Sequence, residues 1–454
     1  MNSEKKQFLS ILVKYLKNPV IVGTFILTTA SIITKIIGFF YRIFLSRIFK
    51  SEGLGIIGLI SPISVFIYSL CISGIQNAIT RFVAASKNKN NSDPFEYLLS
   101  GLFISTLLSS IVSYIIYKNA FFISTNIFNE YRCKPLLKIV ALSFPMAAVH
   151  SCINGYFYGY KKTNLPSYSM ILEQLTRVLT VYLLYIFSQK VNANPSLSFV
   201  CIGLLAGEFT SSCFSSIVLF SSTLKNSRNN NMNSPKLFIK KTHELLTLST
   251  PISLNRICIS LLSTLETIMI PQKLIQNGIE ASKALSIYGI FSGMALPLIL
   301  FPSAITTSIS SLILPSVSEA QAADNHQRIQ KTISLTIIFC FILGLICMIT
   351  FFSLADLFGN HIFKNHEASV QIKALSLICP FFYLSGTLNS IMHGLGKAGL
   401  SFIISCLSII IRLLFVFFII PVIGFNGYIY GLLLSQLFLD LVFILALRHY
   451  IIYN

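Results

Sequence analysis

Six basic residues stand where an apolar chain ordinarily has none: Lys35, Arg42, Arg81, Arg177, Arg256 and Arg412 each lie inside a long hydrophobic run. A charge in hydrocarbon costs roughly 2.5–3.5 kcal/mol on insertion scales, so each needs a partner or a use. Lysine offers a phosphate oxygen a point charge, and arginine offers a planar fork of donors. Deep cations of these types suit an anionic substrate such as a pyrophosphate. In Lys35-Ile-Ile-Gly-Phe-Phe-Tyr-Arg42 the two cations and Gly38 fall at i, i+3 and i+7. That spacing makes one stripe on a helix of ~3.6 residues per turn, with Gly38 leaving room for a bulky group. The competing reading has Arg42 snorkel to the outer interface and Lys35 pair with a buried acid.

The other deep charges sort by their neighbours. Arg256 follows Asn255 well inside its run, too deep to snorkel easily, which points to a cavity role. Arg81 comes four residues after Asn77 near a span end, so snorkelling and ligand binding both remain open. Glu173 precedes Arg177 by four residues, the favourable order for a helical ion pair. Arg412 has Ser408 at that place, so it is free to meet a ligand or a distant acid. Glu208, Glu266 and Asp440 complete the deep acids with Glu173; they balance cations or carry a coupling proton or ion.

Enzyme signatures are missing. The chain has no Gly-x-Ser-x-Gly, no His-Glu-x-x-His and no phosphate loop ending in Gly-Lys-Ser/Thr, so neither catalysis nor a cofactor is expected. His361 and His366 share a loop without a further ligand pattern, and the ten cysteines are scattered without a Cys-x-x-Cys. No metal site is expected, and the cysteines read as small packing residues.

The elements that hold these charges follow from composition. With 54% hydrophobic and 11% charged residues and a mean hydropathy of +0.75, the chain is all-α, polytopic and membrane-embedded. At ~20 residues per span, twelve are expected: 20–48, 54–86, 95–118, 135–160, 164–187, 197–224, 244–271, 282–316, 330–354, 370–394, 399–420 and 427–447. Residues 1–19, with Lys5, Lys6, Lys14 and Lys17, form a cytoplasmic lead-in rather than a signal peptide. Placing both termini inside gives the inner loops the larger share of Lys and Arg, the N-in and C-in topology of a cell-membrane protein. The formal charge of +19 is spread over loops and spans, with no soluble domain to carry a nucleic-acid face. Anionic membrane lipids are its expected partners.

The sequence also repeats. A shift of 235 residues lays Lys138, Leu142, Pro145, Asn154, Gly159, Lys162 and Arg177 on Lys373, Leu377, Pro380, Asn389, Gly394, Lys397 and Arg412. A shift of 231 lays Ile56-Ile-Gly-Leu-Ile-Ser61 on Ile287-Tyr-Gly-Ile-Phe-Ser292, and one of 228 lays Gly203-Leu-Leu on Gly431-Leu-Leu. Two six-span lobes in parallel orientation are therefore expected, at 20–225 and 242–454, joined by a cytoplasmic linker at 226–241.

Gly23-Thr-Phe-Ile-Leu-Thr28, Lys35 to Arg42, Ser51-Glu-Gly-Leu-Gly55 and Ile60-Ser-Pro62 resemble the opening spans of the stage V sporulation protein B group of polysaccharide exporters. That group is similar to the lipid II flippases, and both share a superfamily with the multidrug and toxin extrusion (MATE) transporters. The resemblance implies a MATE-like fold and the flipping of an undecaprenyl-pyrophosphate-linked sugar, such as a peptidoglycan or spore-cortex precursor, with cell-wall synthases as partners. Lipid II flippases resemble fourteen-span proteins whose two extra spans are associated with a groove for the lipid tail, and the twelve spans read here lack them. Two other classes stand beside this one. A drug-cation antiporter would favour an acid-dominated cavity, whereas deep bases here outnumber deep acids. A non-transporting scaffold for cell-wall synthesis would need no deep cations.

Overall fold

The computed structural model describes residues 19–86, 94–225, 235–323 and 326–453, and among them the regular structure is helical throughout. The helices are α1 (Pro19–Tyr68), α2 (Gly74–Ser86), α3 (Pro94–Phe122), α4 (Cys133–Ala141), α5 (Ser143–Gly159), α6 (Asn164–Lys190), α7 (Ser198–Lys225) and α8 (Pro235–Gln276). The second half continues with α9 (Ala281–Ile290), α10 (Leu296–Leu300), α11 (Ser303–Ala322), α12 (His326–Asp356), α13 (His366–Ser376), α14 (Cys379–Gly394), α15 (Ala398–Leu414), α16 (Ile420–Ile423) and α17 (Phe425–Tyr453).

Ten helices among the described residues are long and apolar enough to cross a membrane, or eleven when the bent pair α13–α14 counts as one span. One of the ten runs for 62 residues from Phe25 to Ser86. At 1.5 Å per residue it is about 90 Å long, far beyond the ~30 Å bilayer core. Lys50, with φ 54 and ψ −171, breaks it between the first two expected spans. With that break and the bent pair, each of the twelve expected spans falls on a helical stretch. The eighth is interrupted where Phe301 and Pro302 separate α10 from α11. The expected linker is shorter than 226–241: Pro235 opens α8, a position where the missing N–H costs nothing. Residues 226–234 and 1–18 lie outside the described residues.

The repeat has a physical basis in proline. Helix α4 ends at Ala141 and α13 at Ser376, each four residues before Pro145 or Pro380. A proline ring clashes with the carbonyl four residues back and supplies no N–H to it. Ser113 Oγ donates to the Ala141 carbonyl at 2.5 Å, so one of these freed acceptors is satisfied from α3. In the second half the same break bends the helix by 55°. The π-helical turns Ile123–Ile127 and Leu357–Ile362 also correspond. So do Asn129 and Lys364, 235 residues apart and both at φ 54.

By compactness the chain forms two units that are not its two sequence halves. One comprises residues up to Ile37, Ile67–Ile123 and Lys134–Ile257; the other comprises Gly38–Phe66, Ser124–Cys133 and Cys258–Asn454. The division thus falls within α1 and α8 rather than at the linker, because a continuous helix carries the chain from one packing environment to another.

Within the first unit, α3 shows how a span sorts its faces. Phe103, Leu107, Ile111 and Ile115 form an exposed i, i+4 stripe, as expected for a lipid-facing surface. Ser105, Ser109 and Ser113 are buried, since small residues let membrane helices approach closely. Ser105 Oγ donates to the Cys71 carbonyl at 2.9 Å. At the start of α8, Lys241 Nζ donates to Tyr97 Oη at 2.6 Å and Tyr97 Oη donates to Glu244 at 2.8 Å.

In the second unit the tightest crossing joins α1 beyond its break to α9. A Cβ on Gly289 would lie 1.9 Å from the Ser51 carbonyl oxygen, and one on Gly55 would lie 2.1 Å from that of Leu285. Ser51 and Ser286 share a hydroxyl hydrogen bond of 2.5 Å beside it. Only glycine permits backbones this close.

Candidate functional site

The first unit gathers a polar cluster from three helices, α5, α6 and α7. Helix α7 lies against α6 because Gly203 and Gly207 face it: a Cβ on either would come 2.9 Å from the carbonyl of Arg177 or Glu173, respectively. That approach sets Glu208 beside the α6 charges. Arg177 Nη2 pairs with Glu173 one turn earlier on α6, as its spacing predicts. Glu208 Oε2 lies 3.6 Å from His150 Nε2 of α5, and His150 Nδ1 is 2.8 Å from Ser211 Oγ of α7. One ligand atom each from His150, Glu173 and Glu208 lie within 4.8 Å of one another, an arrangement able to hold a cation. Glu208 Oε2 is buried without a hydrogen-bond partner, as is Asn154 Oδ1, one turn beyond His150 on α5.

Sequence reasoning missed His150, because a lone histidine in an apolar run carries no ligand spacing. The expectation of no metal site rested on His361 and His366, of which His366 Nδ1 lies 3.3 Å from Asn360 Oδ1.

Beside this cluster, Tyr68 Oη donates to Gln76 Oε1 at 3.0 Å and lies 3.2 Å from Ser151 Oγ. Tyr68 is within electrostatic reach of both Glu208 and Arg256. Arg256 itself is exposed, as is Arg81, and Lys35 is partly buried. None of the three has an acid within ion-pair distance among the described residues. With Glu173 engaged by Arg177, Lys35, Arg81 and Arg256 are left without an acid of their own among the described residues of the first unit.

The second unit treats its deep charges differently. Arg412 Nε lies 3.0 Å from Glu266 Oε1, and Tyr428 Oη donates to the same carboxylate at 2.9 Å. Arg412 thus found the distant acid rather than standing free, and both it and Arg177 carry their own counter-charge. Tyr428 in turn packs with Phe291 and Phe425, ring centroids 5.2–5.7 Å apart. Glu266 is only 5% exposed. Arg42 Nη1 donates to the Ser292 carbonyl at 3.1 Å, an acceptor without net charge, and its side chain is exposed.

Asp440 is the opposite case. It is 3% exposed, and both its carboxyl oxygens are buried without hydrogen-bond partners, like Gln436 Oε1 one turn earlier on α17. The deep acids therefore divide: Glu173 and Glu266 balance arginines, whereas Glu208 and Asp440 each keep buried oxygens unsatisfied.

Outside the spans, Arg132 ties the loop after α3 to the start of the second expected span. Its guanidinium lies 2.7 Å from Glu52 and 2.8 Å from Glu130. The hydrogen bond from Arg132 holds the Glu130 carboxyl below its usual range against the opposing effect of burial.

Comparison with known proteins extends the resemblance of the opening spans along the chain. Residues 20–321 match the family described as polysaccharide biosynthesis protein, and residues 251–418 match MatE. Stage V sporulation protein B of Bacillus subtilis (strain 168) is 26% identical over 410 residues, 89% of this chain and 79% of that protein. Lipid II flippase MurJ of the same organism is 20% identical over 339 residues, 69% of this chain and 60% of its own. A solved structure, the inward-facing conformation of a multidrug resistance MATE family transporter of the MOP superfamily, aligns with a TM-score of 0.69. It is 14% identical and the alignment covers 92% of this chain and 94% of that one, a likeness of fold. With well over half its length inside the family match and a membrane-spanning helical fold of this type, the chain belongs to the polysaccharide biosynthesis protein family.

Proposed function

We propose that this membrane transporter of the MOP superfamily flips an undecaprenyl-pyrophosphate-linked sugar, a peptidoglycan or spore-cortex precursor, across the cell membrane by alternating access of its two six-span halves. Both termini are cytoplasmic in this reading. The observation that carries it is the distribution of deep charge. Arg177 and Arg412 have acids of their own, whereas Lys35, Arg81 and Arg256 have none among the described residues and Arg42 meets only a carbonyl. Unbalanced cations in a membrane are costly enough to imply a use, and pyrophosphate oxygens are their natural complement. The names of the relatives, a sporulation protein and a lipid II flippase, point to the same substrate class. Glu208 and Asp440, with unsatisfied buried oxygens, are the candidates for coupling to a proton or ion. Anionic lipids surround the chain, and cell-wall synthases consume what it delivers.

Leaflet-resolved transport of defined lipid-linked sugars in reconstituted vesicles tests this. Lys35→Ala and Arg256→Ala abolish transport with normal expression and insertion, and Arg42→Ala weakens it. Full transport by the first two variants refutes the cation reading. The MATE-like fold together with the unpartnered Asp440 carboxyl favours one other reading, a cation antiporter. Gradient-dependent efflux of organic cations in a drug-sensitive host would replace the flippase by that antiporter.

A further inference from the structure

The second unit contains a pocket of about 400 Å³ at the break in α1, lined by Ser46, Arg47, Lys50, Ser51, Lys364 and Asn365 over a floor of Met294 and Phe363. Its charge is one-sided, because three cations line it and no acid does. Of the nearby acids, Glu52 is engaged by Arg132 at 2.7 Å and Asp356 by Lys373 at 2.8 Å, while Glu367 lies in the first turn of α13, outside the lining. One of the cations is also held in place. Arg47 Nη2 and Nε donate to the Ile362 carbonyl at 3.1 and 3.4 Å, which pins one edge of the guanidinium and leaves its remaining donors for a ligand. Lys50 and Lys364 both sit at φ 54, a left-handed backbone that side-chain-bearing residues seldom adopt. Such conformations persist where the surroundings over-determine them, often at ligand sites.

A fourth positive element adds to these. Asn365 caps α13 by accepting from the Ala368 amide at 3.1 Å, so the helix opens beside the pocket with its positive dipole end. The floor is rigid: Met294 is 1% and Phe363 3% exposed.

We infer that this pocket binds a phosphate-type oxyanion, a pyrophosphate or phosphate monoester, supplied either by a soluble species or by a lipid head group. The pocket does not include Lys35, Arg42, Arg81 or Arg256, although Arg42 lies one turn before Ser46 on α1, and on the proposed topology it faces outward. Three cations match the two to three charges of a pyrophosphate, and the hydroxyls of Ser46 and Ser51 suit its remaining oxygens.

The test uses the full chain in a Lys35→Ala/Arg256→Ala background, which removes the two cations the proposed transport depends on most, so that its failure and that of the flippase reading are distinguishable. Titration calorimetry in zwitterionic nanodiscs then shows saturable, salt-sensitive binding of inorganic pyrophosphate. Adding Lys50→Asn and Lys364→Asn, substitutions that tolerate positive φ, lowers the affinity at least tenfold, whereas Lys50→Arg with Lys364→Arg retains it. Unchanged affinity in the asparagine variant overturns the assignment, and so does loss of binding in the arginine variant when its gel-filtration profile is that of the parent. Repeating the titration in nanodiscs of anionic lipid at equal ionic strength identifies the source. Abolished pyrophosphate binding there assigns the pocket to a lipid head group, and persistent binding assigns it to a soluble or substrate phosphate.

Discussion

Breaking the Arg412–Glu266 pair from one side should be far more damaging than removing both charges. The guanidinium and carboxylate are 3.0 Å apart, where unit charges attract by about 5 kcal/mol at an effective dielectric constant of ~20. Taking two charges out of water opposes that gain, so the pair itself contributes little net stability, but a single survivor is a buried, uncompensated ion. Loss of one partner of a buried pair costs about 3–5 kcal/mol. Arg412→Met leaves the buried Glu266 without a counter-charge, and Glu266→Gln leaves Arg412 without its acid. The combined variant is neutral and still offers Tyr428 an amide oxygen to replace the carboxylate it now bonds at 2.9 Å. Unfolding in mixed micelles titrated with a denaturing detergent should show each single variant losing about 3–5 kcal/mol. The double variant should lose much less than their sum, a coupling energy readable from the double-mutant cycle. Additive losses would refute the reasoning, since they would mean that the two charges do not compensate each other. If the double variant recovers stability but not transport, Arg412 meets the substrate as well as its acid.

Gly289→Ala should sharply reduce the yield of monodisperse protein in gel filtration, because its Cβ would lie 1.9 Å from the Ser51 carbonyl, whereas Gly386→Ala, with open space around it, should leave the profile unchanged. The Glu52–Arg132–Glu130 cluster should make its loop acid-sensitive in a defined direction. Glu130 is held below its usual range in the folded chain, chiefly by its hydrogen bond from Arg132, so its stabilising contribution is present at neutral pH, above the unfolded carboxylate value of about 4.3. It is lost as pH falls through the lowered folded value. Hydrogen exchange at the Cys133 amide, which donates to the Glu130 carbonyl at 3.1 Å, should lose protection on acidification after correction for intrinsic rates, and Arg132→Gln should flatten that dependence.

What was legible in the sequence is what local chemistry decides. Apolar runs mark the spans, and Pro145 and Pro380 mark corresponding helix breaks because a proline acts on the carbonyl four residues behind it. The family resemblance also rested on Ser51-Glu-Gly-Leu-Gly55, and the structure gives that motif a packing role: Gly55 and Ser51 meet α9. What was hidden requires distant segments to meet. Glu266 reaches Arg412 from another helix, and His150 becomes informative only once Glu208 lies beside it. The pocket of Arg47, Lys50 and Lys364 joins residues more than 300 positions apart, and nothing in either segment alone announces it. The division of α1 between two compact units is likewise a property of packing, invisible to hydropathy.

The two halves share a scaffold but not a charge pattern, and that contrast separates structure from function. Gly203 and Gly431 correspond, and both hold their helices against a neighbour: a Cβ on the first would lie 2.4 Å from Val181 and on the second 2.5 Å from Phe415. Arg177 and Arg412 also correspond, yet one is neutralised within its own helix and the other from α8. The shift that aligns these glycines brings Glu208 onto Gln436 and Ser212 onto Asp440, so the unsatisfied acids occupy unequal places, one turn apart. A repeat used only for packing has no need to redistribute buried charge, because each displaced ion carries a desolvation cost of several kcal/mol. The duplicated prolines and glycines explain why the chain folds as it does. Its unduplicated charges, Lys35 and Arg256, which have no acid partner among the described residues, and Asp440, whose buried oxygens have no hydrogen-bond partner there, are where substrate and coupling ion should be sought.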